Sequence, residues 1–167
     1  MPNDIILGDG VFSIGATDVG LTRGGGTLTV EREYRTIEAD GDYGPVKGRI
    51  RKIKSVAKLS MNALEILTTN IPKMYPATEV TTVLGADTFA AKADIEDADY
   101  NSTITWTGKT TAGRSVVITL ENAINLENIE WDLKDKEEIV PEITYTATYD
   151  PTTRTIEPWK IVFTDAV

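Results

Sequence analysis

Two long segments in which polar and apolar residues alternate constrain the fold of this chain more than any other feature. The first segment runs from Thr27 to Glu38 and the second from Arg49 to Asn62, and the alternation is interrupted only at Arg32 and Val56. A period of two is typical of β-strands whose two faces have different surroundings. The ten residues between the segments, 39–48, include three glycines and one proline and are too many for a tight turn. We therefore predict a long β-ribbon that ends in an extended polar loop.

The two predicted strands each have one polar face. On the first strand this face contains Thr29, Glu31 and Glu33, and on the second it contains a row of lysines, Lys52, Lys54 and Lys58. The loop has no apolar core of its own, so it is either a mobile hairpin tip or a docking segment that a partner subunit orders.

The remainder of the chain predicts short strands separated by turns, together with one helix. The predicted strands are Ile5–Leu7, Val11–Ile14, Val80–Val83, Phe89–Ile95, Thr103–Gly108, Arg114–Leu120, Ile129–Leu133, Pro141–Tyr149 and Trp159–Phe163. The helix is expected within residues 63–75, with Asn70 as its cap and Pro72 in its first turn. Trp106, Trp131 and Trp159 fall in predicted strands and are expected to fill the core. The fold class is therefore mainly β: a β-sandwich or partly closed barrel with one short helix and a long β-hairpin.

Length and composition limit the classes of function. The chain has 167 residues, enough for one domain with a real core. We expect residues 27–167 to form that domain, preceded by an N-terminal arm with the first strands in residues 1–26. With no cysteine and no histidine, disulfides and most catalytic triads and zinc sites are excluded, so we expect no enzyme activity. The N-terminus has no features of a secretory signal, and no apolar run approaches the ~20 residues of a membrane span.

Charge is distributed unevenly along the chain. The formal net charge of −9 disfavours binding to nucleic-acid phosphates. Six basic residues nevertheless lie between Lys47 and Lys58, whereas the stretch from Glu121 to Glu138 is strongly acidic. These stretches are natural electrostatic complements, either within one fold or between neighbouring copies.

One acidic cluster has part of a calcium-binding pattern. Asp97, Asp99 and Asn101 have the spacing that opens a calcium loop, but Ser102 and Gly108 replace the glycine and glutamate that such a loop needs. We therefore interpret the cluster as a solvated acidic turn and predict no metal and no cofactor.

An ordered series of sequence blocks resembles the major tail protein, or tail tube protein, of long-tailed bacteriophages. The blocks are GLTRGGGTLTVEREYRTIEADGDYGPVKGRIRKIKSVAKLSMNALEI, ADIEDADYNSTITWTGKTTAGRSVVITLENAI, IEWDLKDKEEIVPEITYTATYDP and the C-terminal Pro158–Trp159. They cover most of the chain from Gly20 onward. The resemblance implies a tail-tube fold in a structural protein. Such proteins form stacked rings, usually of six subunits, whose β-hairpins build an inner barrel around a lumen that phage DNA passes through during ejection.

The resemblance also assigns roles to residues of this chain. Thr29, Glu31 and Glu33 are expected to face the lumen. The inter-ring loop comprises Asp40, Gly41, Asp42, Tyr43, Gly44, Pro45, Val46 and Lys47. Candidates for inter-subunit charge contacts are Arg49, Lys52, Lys54, Lys58, Asp135, Glu137 and Glu138.

The partners implied by the resemblance are further copies of the chain in homo-hexameric rings, the tail tape-measure, tail terminator and distal tail proteins, and DNA only as passing cargo. No membrane is implied, and the protein would belong to the virion after assembly in the bacterial cytoplasm. Two alternatives stay open: the tube protein of a contractile tail or secretion-like machine, and a monomeric β-sandwich module that binds carbohydrate or protein.

Overall fold

The computed structural model describes residues 4–165, which form mainly antiparallel β-strands. In chain order the strands are β1 (Ile6–Ile14), β2 (Thr17–Asp18), β3 (Thr22–Thr36), β4 (Ile50–Ala63), β5 (Thr78–Val83), β6 (Ala86–Ala91), β7 (Asn101–Thr110), β8 (Ser115–Asn125), β9 (Glu142–Thr146) and β10 (Trp159–Thr164). One α-helix, α1 (Ile71–Met74), precedes β5, and a single 3-10 turn (Asp97–Asp99) precedes β7. The prediction of a mainly β chain is confirmed.

Eight of the strands form one sheet that divides at β8. The strand order is β2-β1-β7-β8-β9-β4-β3, and β10 also pairs with β8. Along β8, residues 115–120 bond to β10, whereas Ile124 and Asn125 bond to β9. The sheet therefore separates into two layers, and the core lies between them. Phe12, Trp106 and Leu120 come from one layer, and Leu59 and Tyr145 come from the other. Within the described residues β3 makes no ladder with β1 or β2, so the barrel is not closed.

The long ribbon is present and starts earlier than predicted. β3 and β4 pair from Thr22 opposite Ala63 to Thr36 opposite Ile50. Gly24 and Gly25, at positive φ, occupy an irregular stretch near the start of β3. Gly26 then passes so close to its neighbours that a Cβ atom would lie 2.1 Å from the carbonyl oxygen of Ser60. The absence of a side chain at Gly26 therefore allows β3 to lie this close to β4.

The predicted helix is reduced to a single turn that the sheet holds at its C-terminal end. Asn70 occupies the N-cap position and Pro72 lies in the first turn, as predicted, but the Asn70 side chain makes no capping bond. The last carbonyls of a helix have no partner within it. Here Asn101 Nδ2 donates to the Lys73 carbonyl at 2.9 Å, and Asn125 Nδ2 donates to the Met74 carbonyl at 2.8 Å.

The Tyr145 hydroxyl also donates to the Lys73 carbonyl, at 3.3 Å. Burial raises the pKa of this tyrosine. Strands β7, β8 and β9 thus each provide one buried side chain that fixes the helix on the sheet.

One predicted strand is wrong. Residues 126–141 contain no strand, so Ile129–Leu133 is not one. Trp131 is 39% exposed rather than buried in the core, and its Nε1 donates to the Tyr75 hydroxyl at 2.8 Å. Acidic residues flank it on both sides, and the whole segment from Leu126 to Glu138 faces solvent. Trp106 is buried and Trp159 packs against the core, which confirms the prediction for these two residues.

The remaining boundaries differ locally from the predictions. Ile5–Leu7 and Val11–Ile14 merge into β1, with an irregularity between Ile6 and Gly10. Of the predicted N-terminal segment 1–26, residues 1–3 lie outside the described residues. The strand predicted at Phe89–Ile95 instead ends at Ala91 and forms with β5 a separate two-stranded hairpin. No helix within residues 4–165 combines the length and apolar character needed to cross a membrane.

Candidate functional site

The β3–β4 ribbon has an inner face against the core and an outer face away from it. On the inner face Leu28 and Val30 pack against buried Ala57 and Leu59. Residues directly opposite each other in an antiparallel pair share a face. Thr29 opposite Lys58 and Glu33 opposite Lys54 therefore lie together on the outer face. The structure thus places the lumen candidates Thr29, Glu31 and Glu33 in one row on the side that the core does not cover.

Ion pairs neutralise the middle of this outer face. Lys54 Nζ lies 3.6 Å from Glu33 Oε1, and Lys58 Nζ lies 3.8 Å from Glu31 Oε1. Exposed pairs of this kind contribute little to stability, because water screens them and ordering long side chains costs entropy. Their effect is on the potential of the surface, which presents matched charges instead of a row of free ammonium groups.

Among residues 4–165, no other strand pairs with either outer edge of the distal ribbon, residues 31–36 and 50–56. β3 is the last strand in the sheet, so one of its edges is free over its length. β4 pairs with β9 only from Lys58 to Asn62. On residues 50–56 of that edge, the described structure shows one backbone contact from another segment, the Tyr149 hydroxyl donating to the Ser55 carbonyl at 3.1 Å. Open edges of this length are templates for pairing with another chain.

The distal ribbon also exposes large apolar side chains. Ile53 is 60% exposed and Tyr34 is 55% exposed, and Ile37 and Ile50 are close to half exposed. Ile53 is an extra residue in β4, because Glu33 lies opposite Lys54 whereas Tyr34 lies opposite Lys52. A β-bulge of this kind increases the local twist of the ribbon. Grouped apolar exposure beside open edges indicates an association surface.

The tip loop, residues 37–49, is ordered by contacts among its own residues. Asp42 accepts a bond from the Ala39 N–H at 2.9 Å and pairs with the Arg49 guanidinium at 2.6 Å. The Ile37 N–H donates to the Arg49 carbonyl at 2.9 Å, which closes the base of the loop. Tyr43 is fully exposed. The predicted inter-ring loop, Asp40–Lys47, is therefore a shaped projection at the end of the ribbon.

Five of the seven predicted charge candidates are paired within the chain. Lys54 and Lys58 pair as described above, and Arg49 pairs with Asp42. Lys52 pairs with Glu157, and Glu138 pairs with Arg23 at 3.3 Å. Among the described residues, Asp135 and Glu137 have no ion-pair partner.

The Lys52–Glu157 pair joins the ribbon to the segment before β10. The ammonium group of Lys52 is the main cause that holds the pKa of the Glu157 carboxyl below its ordinary value. The Tyr149 hydroxyl and the Trp159 Nε1 also donate to this carboxylate, each at 3.1 Å. Glu157 therefore links the ribbon, through Lys52, to Tyr149 and Trp159 of the C-terminal segment.

Sequence reasoning missed a group of unpaired arginines. Arg32, Arg35 and Arg51 are exposed and have no ion-pair partner within residues 4–165. Arg35 lies directly opposite Arg51. In the sequence, the two arginines lie at similar distances from the loop. That spacing alone does not show that they are cross-strand partners, because the register of the ribbon also depends on the bulge at Ile53.

The calcium-like cluster does not converge on one point. Asp99 is buried and accepts a bond from the Glu96 N–H at 2.8 Å, while the Asn101 side chain donates to α1. Lys92 Nζ lies 3.6 Å from Asp99 Oδ2. Within the part of the chain that the structure describes, no three acidic side chains are close enough together to hold a metal ion.

Comparison with known proteins assigns no family. No protein-family model matches the chain, and no curated protein matches it significantly.

Proposed function

We propose that this chain is a structural tail tube protein that assembles into stacked rings around a DNA conduit. The observation that supports this most is the distal ribbon, which has two open backbone edges and exposed apolar side chains beside them. The resemblance of the ordered sequence blocks to tail tube proteins supplies the type of assembly.

Ring formation follows from the position of the two open edges. One lies on β3 and the other on residues 50–56 of β4, at opposite sides of the same ribbon. Pairing the β3 edge of one copy with the β4 edge of the next is a head-to-tail contact, and such contacts close into a ring when the rotation between copies divides a full turn. A closed ring of ribbons is a barrel, which leaves no edge exposed.

The charge on the outer face suits a lumen. The inner face packs on the core, so the body of each subunit would lie outside the barrel and the outer face inside it. Lys54 and Lys58 are paired with Glu33 and Glu31 and present fewer free cations to DNA phosphates. Because each fixed cation that contacts a phosphate adds to the affinity, a neutralised lining lets the polyanion move without being held.

The proposal is tested by the association state of the purified protein. Sedimentation velocity and negative-stain electron microscopy over a range of protein and salt concentrations should show rings and hollow filaments. A monomeric binding module predicts a single monomer peak throughout, and that result would contradict the proposal.

A further inference from the structure

The two ends of the outer face have opposite, unpaired charge. At the distal end, Arg35 and Arg51 form a cross-strand pair that we call the arginine pair. Like charges directly opposite each other in a sheet are destabilising. Neither arginine has a counter-ion within the described residues, so an isolated chain leaves this repulsion uncompensated.

At the base of the ribbon lies an acidic cleft of about 410 Å³. It is lined by Glu127, Asn128, Glu130, Asp132, Val140, Pro141, Glu142 and Thr144. Asp132 pairs with Lys134, whereas no described cation lies within ion-pair distance of Glu127, Glu130 or Glu142. The cleft therefore has carboxylates in excess of its cations.

The cleft and the arginine pair share a face of the ribbon. Glu142 lies opposite Asn62, and Asn62 points outward because its neighbours Met61 and Ala63 are buried. At the other end, Arg35 follows Glu33 by two residues on β3, and side chains two residues apart on a strand share a face.

The two charged ends cannot meet within one copy. About 11 residues of β4 separate Arg51 from Asn62, which at ~3.3 Å per residue places the ends roughly 36 Å apart. An arginine side chain bridges only a small part of this length. The complementary charges are therefore left for contacts between molecules.

We propose that the arginine pair of each copy docks in the acidic cleft of the next copy along the tube axis. This inference rests on the proposed function and identifies a contact that, together with the tip loop, stacks one ring on another. The planar guanidinium group forms paired hydrogen bonds with carboxylates, which makes arginine suited to such a contact. Because the two ends differ, stacking by this contact gives every ring the same direction.

A charge-reversal pair of variants tests the inference. The first variant, Arg35→Glu with Arg51→Glu, has two acidic ends. The second, Glu127→Arg with Glu130→Arg and Glu142→Arg, has two basic ends, because the one carboxylate left in the cleft lining, Asp132, is paired with Lys134. Each variant alone should form rings but raise the critical concentration for filaments at least ~10-fold, because like charges then face each other between rings. An equimolar mixture should recover filaments, since each end of one variant complements the opposite end of the other.

The control variant carries Lys73→Glu with Lys109→Glu, which makes the same change of net charge as the first variant at two exposed positions away from the ribbon and the cleft. It should form filaments as the wild type does. Circular dichroism and a thermal melt establish that each variant is folded. A variant that does not fold is replaced by neutral substitutions at the same end, either Arg35→Gln with Arg51→Gln or Glu127→Gln with Glu142→Gln. Each of these neutral variants should also raise the critical concentration for filaments.

The outcomes separate the two proposals. If wild-type protein never assembles, the proposed function and this inference both fail. If wild-type filaments form and the first variant forms them equally well alone, the inference about the arginine pair is wrong, whereas the proposed function stands. If that variant keeps its filaments but loses retention of a DNA oligonucleotide, the arginines serve DNA and the inference is also overturned.

Discussion

Replacing Gly26 with alanine tests whether the close approach of β3 to β4 and to the Phe12 side chain at the base of the ribbon stabilises the fold. A Cβ atom at this position would lie 2.1 Å from the Ser60 carbonyl oxygen and 2.6 Å from Phe12 Cζ. The first contact is to the backbone of the partner strand, so no side-chain rotation relieves it. The ladder must open locally by about 1 Å to restore an ordinary van der Waals distance.

The expected cost is that of overpacking a core, about 1–3 kcal/mol. Gly26 is not among the residues at positive φ, so backbone strain adds nothing. The unfolded chain has less conformational entropy with alanine than with glycine at this position, which offsets the cost by about 0.4–1 kcal/mol. We therefore expect a net loss of about 1.3 kcal/mol, which for a chain of this size lowers Tm by about 3–5 °C.

Urea denaturation followed by tryptophan fluorescence, under conditions that keep the protein monomeric, measures this loss. Gly8→Ala is the matched control, because Gly8 also lies in a strand but its Cβ would meet nothing within 4 Å. That variant should stay within about 0.5 kcal/mol of wild type. Adding Phe12→Leu to Gly26→Ala should not restore stability, since the Ser60 contact persists. A Gly26→Ala protein as stable as the control would refute the reasoning.

Three further predictions follow from single contacts. Asn125→Ala leaves the Met74 carbonyl buried without its donor, so the free energy of unfolding should fall by about 1–3 kcal/mol in urea titrations. Lys52→Met should destabilise the protein at neutral pH. Because the folded pKa of Glu157 lies below its ordinary value of 4.5, the stabilisation is present above that value and is lost as pH falls through the folded pKa. The difference between wild type and Lys52→Met in acid titrations should therefore disappear at low pH, and a constant difference would exclude the pair as its cause. Deleting Asp40–Lys47 should leave the thermal melt unchanged but stop ring stacking in electron micrographs, whereas normal filaments would remove the docking role of the loop.

The alternating pattern predicted the ribbon, because one face of each strand packs on the core and the other does not. Leu28, Val30, Ala57 and Leu59 face the core, and the period of two in the sequence records this directly. The start of β3 was missed because three consecutive glycines interrupt the alternating pattern, and the role of Gly26 depends on Ser60 and Phe12, residues of other strands.

Contacts that depend on register could not be predicted from the sequence. If Ile53 were paired with Tyr34 and no bulge formed, Arg35 would lie opposite Lys52 instead of Arg51. The pattern of apolar residues does not determine where such a bulge lies. The single-turn helix has the same limitation, since the side chains that hold its end come from β7, β8 and β9, far along the chain.

The position of Trp131 shows a third limit. A tryptophan among apolar residues predicts a buried strand, but no edge of the sheet receives this segment, and its hydrogen bond to Tyr75 holds the indole at the surface. The acidic stretch from Glu121 to Glu138 indicated the charge of the cleft, but its shape depends on the same irregular path and has no signature in the sequence.

Cryo-electron microscopy of the assembled protein, at a resolution that traces the backbone, tests the central claim most directly. We predict backbone hydrogen bonds between the free edge of β3 in one copy and residues 50–56 of β4 in the next, around a lumen lined by Thr29, Glu31 and Glu33. Assemblies in which both ribbon edges face solvent, or a protein that stays monomeric at every concentration, would contradict the account.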